Sequence, residues 1–148
     1  EGATVALGGK PADRPECGDG WFVEPTVLSG VRNDMRIAQE EVFGPVLSVI
    51  RFSDDDEAYQ LANDTPYGLA AGVWTSDMAR AFTAARRLRA GMIWTNTYRA
   101  VSYTMPFGGI KNSGMGRESG QDAIYDFLET KSVWLAFNKE VPNPFVLR

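Results

Sequence analysis

Short apolar runs alternate with amphipathic stretches along this chain, and that alternation predicts an α/β fold. Residues 3–7 read as a short core strand stopped by Gly8 and Gly9. The stretch "KPADRPECGDG", residues 10–20, has two prolines, two glycines and several charges, so it reads as a loop. Residues 21–28 are extended, with Pro25 marking an edge or irregular strand. Residues 47–52 form a strand by their β-branched and aromatic content. Ser53 opens a helix: its hydroxyl suits the cap, and Asp54, Asp55, Asp56 and Glu57 suit the positive end of the helix dipole. Tyr59, Leu61 and Ala62 supply its apolar side, and "NDTPYG" ends it. A strand over 69–74 follows. Ser76 or Asp77 then caps a second helix with Met78, Ala81, Phe82, Ala85 and Leu88 on one face and Gly91 as its stop. Met92–Thr95 reads as a buried strand. A glycine-rich loop over 106–117 leads to a third helix at 119–129, buried through Ala123, Ile124, Phe127 and Leu128. A last strand over 131–137 is apolar on both faces, and the Pro-rich tail is extended. Ligands in such sheets gather at the carboxyl ends of strands, which directs attention to "TNTY" at 95–98.

Composition narrows the chemistry. With 148 residues, 44% hydrophobic and 23% charged, the chain is long enough for a sizeable core and is not disordered in character. A net charge of −4 disfavours wholesale binding to nucleic acid or to an acidic membrane. Arg80, Arg86, Arg87 and Arg89 do cluster, and on a helix they read as a solvated face. One cysteine and no histidine exclude an internal disulfide, a histidine triad and a histidine-ligated metal. No run approaches the ~18 apolar residues of a membrane span, and no signal peptide is visible, so a cytoplasmic protein is expected. The opening "EGATVALGG" begins almost inside a strand without an initiator methionine, so a piece of a longer chain is expected.

Three stretches invite a functional reading. Cys17 lies between Glu16 and Asp19, whose charges oppose a thiolate, and no histidine can serve as its base. It reads as an inert loop thiol. The loop "FGGIKNSGMGRESG", residues 107–120, looks like a phosphate cradle, but Asn112 follows Lys111 where a Walker loop needs Ser or Thr. Nor does a third glycine follow Gly114-x-Gly116 at dinucleotide-loop spacing, and a structural turn is the better reading. "QEEVFGPV", residues 39–46, sets two acids beside an aromatic and a Gly-Pro turn. Either the acids end an exposed segment and Phe43 is core, or a carboxylate accepts hydrogen bonds from a sugar diol while the ring lies against a flat heterocycle.

"EEVFGPV", "ANDTPYGLAAGVWTSD", "GMIWTNTY" and "MPFGGIKNSGMGRESG", in that order and spacing, resemble the C-terminal part of an NAD(P)-dependent aldehyde dehydrogenase. The resemblance covers essentially the whole chain. It implies the α/β C-terminal portion of the catalytic domain over 1–130, a mainly parallel sheet flanked by helices, and an oligomerisation strand and tail over 131–148. It implies that Glu41 binds the nicotinamide ribose hydroxyls of NAD or NADP and that Phe43 packs near the nicotinamide ring. Phe107 would line the aldehyde channel, with Thr97 and Val101 in the loop that shapes it. Val101 stands where some relatives carry an aromatic, implying a roomier or less aromatic pocket, and "NTYRAVSY" resembles members acting on amino- or betaine-type aldehydes. Glu40 inherits no role. In the family a thiolate attacks the aldehyde, hydride passes to NAD(P)+, and base-assisted water releases the acid. The nucleophilic cysteine, the general-base glutamate and the adenosine-binding domain belong upstream, and Cys17 lies well past the nucleophile's place. The expectation is therefore a fragment of an oxidoreductase, inactive by itself and assembling as a homo-oligomer. The alternative is a non-catalytic binding or oligomerisation module that keeps the fold.

Overall fold

The computed structural model describes residues 1–137, 143 and 145. Three strands, β1 (Thr4–Leu7), β2 (Thr26–Ser29) and β3 (Val46–Ser48), form one small sheet in the order β1-β2-β3. β1 runs antiparallel to β2, and β2 runs parallel to β3 with Val27 opposite Leu47. A one-turn helix, α1 (Arg36–Gln39), lies in the connection between β2 and β3. α2 (Asp55–Asn63) then leads to β4 (Ala70–Val73), α3 (Met78–Arg87) and β5 (Met92–Thr95). β4 and β5 pair in parallel, Ala70 opposite Met92 through Val73 opposite Thr95. Parallel neighbours need a crossover, and α3 is that crossover. The expected mainly parallel sheet is thus realised as two small sheets, each with a parallel pair.

The helix starts follow local chemistry. Asp54, not Ser53, caps α2 by accepting from the Glu57 amide at 2.9 Å. The Ser53 hydroxyl and amide instead donate to the Glu57 carboxylate, which reaches back to the residue before the cap. Asp77 caps α3, accepting from Ala79 and Arg80 amides.

The buried stripe of α3 differs from expectation. Ala81 and Ala84 are buried, whereas Met78 and Phe82 are each 64% exposed. Small residues let α3 approach its neighbours closely, and the larger apolar residues beside them are left uncovered. The third helix is a 3-10 segment, Asp122–Phe127, rather than an α-helix, and Ile124, Phe127 and Leu128 are exposed. Residues 131–137 pair with no strand among the described residues, and Trp134 and Phe137 are more than 90% exposed. A strand whose apolar faces find no partner in its own chain gains nothing from a ladder. The expected tail 138–148 lies outside the described residues apart from Asn143 and Phe145.

The core is therefore thin. Val31, Met35, Tyr59, Ala81 and Ala84 are its buried apolar members among the described residues. Accessible surface is 12621 Å² for 16.3 kDa. A self-contained monomer of that mass exposes roughly 7,500 Å².

Backbone contact replaces side-chain packing where the second sheet meets the glycine-rich loop. A Cβ on Gly91 would lie 1.7 Å from the Gly108 carbonyl oxygen. No rotamer relieves a clash with backbone. Gly91→Ala is expected to cost about 3 kcal/mol, the upper end for overpacking; urea unfolding of the longest natural polypeptide containing these residues measures it.

Candidate functional site

The segment 39–46 is shaped by two consecutive tight turns. The Gly44 amide donates to the Val42 carbonyl at 2.7 Å, and the Val46 amide donates to the Gly44 carbonyl at 2.8 Å. Each closes a three-residue turn, so Phe43 and then Pro45 sit at a turn apex. An apex side chain points away from the chain, and Phe43 is 99% exposed. The Thr26 amide anchors the end of the segment by donating to the Pro45 carbonyl at 2.8 Å.

The two acids have different surroundings. Glu40 accepts from Arg36 Nε at 2.7 Å, one helical turn back. That hydrogen bond holds its carboxyl below the ordinary range. Glu41 is exposed and has no hydrogen-bond or ion-pair partner among the described residues. Phe43 is thus exposed rather than core within the described residues, and Glu41 is left with acceptor capacity to spare.

A second cluster forms beyond β5. Asn96 adopts a left-handed conformation (φ 54°). Its side-chain amide accepts from the Thr75 amide at 2.9 Å and donates to the Thr75 carbonyl at 2.8 Å, extending the β4–β5 pairing by one side chain. Asn tolerates that backbone better than most residues. Trp94 donates its indole N–H to the Ala100 carbonyl at 2.7 Å and meets Tyr98 edge-on, ring centroids 5.7 Å apart. These contacts fold the loop back so that Val101 and Phe107 line one cavity of about 170 Å³ with Met92, Ala100, Ser102 and Met105. Thr97 is exposed and does not line it. Two of the three residues expected in the substrate channel are thus brought together, and the third is not.

The glycine-rich loop is built for close packing. Phe107 and Glu118 exchange two backbone hydrogen bonds of 2.7 Å. Arg117 donates to the Gly109 and Gly116 carbonyls from inside the loop. Gly114 and Gly116 take positive φ. This agrees with the structural-turn reading.

In the sequence Lys111 figures only in the rejected phosphate-loop spacing, and its anchoring contacts are not legible there. It is left-handed (φ 55°) and half-buried, and its ammonium donates to the Asn63 and Thr65 carbonyls at 2.8 and 3.0 Å. Its only sequence signal is a cation set among glycines, four residues after Phe107. Cys17 is a half-buried free thiol in a short 3-10 turn, Pro15–Cys17. No group of three metal-ligating side chains occurs among the described residues. The arginine cluster lies on an exposed face, as expected, and two of its members are also paired: Arg80 with Asp55 at 2.7 Å, and Arg87 with Asp56 while lying 4.7 Å over the Tyr59 ring. These contacts tie α3 to α2.

An α/β fold thus presents, among the described residues, an unpartnered carboxylate beside a projecting aromatic and a small apolar cavity on a separate loop. Residues 1–133 match the profile of the aldehyde dehydrogenase family, and the chain belongs to that family. It is 46% identical to the betaine aldehyde dehydrogenase of Brucella anthropi over 145 residues, 98% of this chain and 30% of that protein. It is 46% identical to aldehyde dehydrogenase, cytosolic 1, of Rattus norvegicus over 142 residues, 92% of this chain and 28% of that protein. A betaine aldehyde dehydrogenase from Staphylococcus aureus, solved as a point mutant with NAD+, superposes with a TM-score of 0.90 at 43% identity, covering 98% of this chain and 30% of its own. The P. syringae indole-3-acetaldehyde dehydrogenase, solved with NAD+, gives a TM-score of 0.83 at 53% identity over 90% of this chain and 26% of its own. The chain thus spans about 30% of the length of the relatives it matches.

The Arg36–Glu40 pair has a pH signature. Glu40 should titrate below the ordinary glutamate value of 4.5. The pair's contribution is complete above that value and is lost as pH falls through the depressed one. Carboxyl NMR titration should show this, and Arg36→Gln should return Glu40 to the ordinary range.

Proposed function

We propose that this chain is the C-terminal, nicotinamide- and substrate-facing part of an enzyme that oxidises an aldehyde to a carboxylic acid with NAD(P)+. The observation that carries this reading is the pairing of an uncommitted carboxylate, Glu41, with a fully exposed ring, Phe43, on consecutive tight turns. An acid without a partner beside an exposed aromatic is suited to a ligand with vicinal hydroxyls and a flat ring. A nicotinamide riboside has both. Glu41 accepts the two ribose hydroxyl protons in hydrogen bonds. Phe43 packs near the nicotinamide and limits its sliding. When bound, the cofactor supplies the hydride acceptor. The residues of this chain hold it in place, and Phe107 with Val101 shapes the aldehyde channel, Thr97 lying on the loop that leads to it.

The same reading assigns residues 1–130 to the catalytic domain and 131–148 to an assembly strand and tail. The exposed run Val133, Trp134, Leu135 and Phe137 supports a homo-oligomer, since an uncovered apolar strand invites pairing with a neighbouring sheet. Among the described residues no helix is long and apolar enough to cross a membrane. We assign a cytoplasmic location, in keeping with the rat relative's description as cytosolic.

Three tests follow from this reading. In the longest natural polypeptide containing these residues, Glu41→Gln should lower kcat by about 10- to 100-fold through a misplaced nicotinamide. Steady-state NADH formation measures it, and unchanged turnover removes the role. The 148-residue chain alone should form no NADH from any aldehyde, because on this reading the family's nucleophilic cysteine lies upstream of it and Cys17 does not stand in its place. Trp134→Lys should weaken self-association about 30-fold, as loss of an interface anchor does. Sedimentation velocity across a concentration series reads that shift, and an unchanged profile rules out the strand as the interface.

A further inference from the structure

One short turn receives hydrogen bonds from both candidate binding segments. The turn is 63–68, "NDTPYG", at the end of α2. From the cofactor side, Gln39 Nε2 donates to the Asp64 carbonyl at 2.8 Å and to the Asn33 carbonyl at 2.7 Å. Asn33 Nδ2 donates to the same Asp64 carbonyl and to its carboxylate, both at 2.9 Å. Gln39 stands two residues before Glu41 and four before Phe43.

From the substrate side, Lys111 Nζ donates to Asn63 and Thr65 carbonyls at 2.8 and 3.0 Å. The Asn112 amide donates to the Pro66 carbonyl at 2.9 Å, and the Ile110 amide to the Gly68 carbonyl at 3.0 Å. Ser113 Oγ accepts from the Gly68 amide at 3.0 Å. Lys111 stands four residues after Phe107.

The ammonium meets the negative end of α2, where the last carbonyls lack helical partners. Asn63 is itself held from the far side: its side chain donates to the Arg87 carbonyl and accepts from the Arg89 amide. A cation on a carbonyl is a charge-assisted bond, stronger than a neutral one. Lys111 also keeps a left-handed backbone that a lysine adopts only under compulsion.

We propose that the 63–68 turn is a common anchor that fixes the cofactor segment and the substrate loop relative to one another, with Lys111 and Gln39 as positioning residues. This rests on the functional reading above for what the two segments bind, but the coupling between them is a property of the chain alone. Removing Lys111 frees the turn's Asn63 and Thr65 carbonyls, and the disturbance reaches Glu41 through Asp64 and Gln39.

Amide hydrogen exchange tests it in the longest natural polypeptide containing these residues. Lys111→Met should speed exchange about ten-fold or more at 107–113 and also at 39–44, the factor expected when a charge-assisted hydrogen bond is lost. β5 and α3 should keep their protection. In turnover assays the same variant should raise the aldehyde KM and weaken NAD+ binding together, with kcat changed less, and Lys111→Arg should recover most of both. Faster exchange confined to 107–113 overturns the proposal. If Lys111→Met loses protection throughout the molecule, the milder Ser113→Ala decides by the same two-segment criterion. An unsubstituted protein that forms no NADH from any aldehyde defeats the functional reading instead, and the exchange pattern still decides whether the turn is a shared anchor.

Discussion

One carbonyl oxygen, that of Gly68, accepts the amides of Gly91 and Ile110, each at 3.0 Å. Those two donors belong to the start of β5 and to the glycine-rich loop, while Gly68 itself leads into β4. Three backbone strands of the fold thus converge on one acceptor, using both of its lone pairs. The convergence requires the chains to touch without side chains between them. A Cβ on Gly68 would meet Ile110 and the Arg89 carbonyl within 3 Å, and one on Gly91 would strike the Gly108 carbonyl. The glycines are there because the backbone must approach closely, and the position of Phe107 beside Val101 depends on that approach.

Around this junction charge and helix geometry do the remaining work. Asp55 and Asp56 favour the N-terminus of α2 and also capture Arg80 and Arg87 from α3. The pairs are exposed, so each contributes little alone. Their value lies in orientation: Arg87 is laid across Tyr59, one of the few buried side chains. The stripe of Ala81 and Ala84 lets the helix seat closely. What the fold lacks is an apolar cover. Phe52, Trp74, Met78 and Phe82 remain more than half exposed. A chain spanning about 30% of its relatives' length would show that pattern if those relatives cover the same faces with further structure.

Much of the architecture was legible because its signals are local. Asp77 before an alternating run, Pro and Gly at turns, and β-branched strands act within a few residues of themselves. The α3 face was misjudged because periodicity tells which residues share a side, not which of them find a partner. The third helix failed for a similar reason: residues 122–127 have helical periodicity, yet among the described residues nothing covers Ile124 and Phe127, and a short 3-10 turn is what local bonding alone sustains.

The sequence by itself determined the family, the order of strands and helices from β3 to β5 and the pairing of an acid with an aromatic at Glu41 and Phe43, because motif spacing and turn chemistry are one-dimensional. Only the tertiary structure decided that Glu40 is taken by Arg36 while Glu41 has no partner among the described residues, that Val101 and Phe107 share a cavity while Thr97 does not, and that Lys111 reaches the end of α2. Each of those depends on a distance between residues far apart in the chain or on a competition between identical side chains. Such distances are set by how the backbone packs at its glycines, and no local pattern records them.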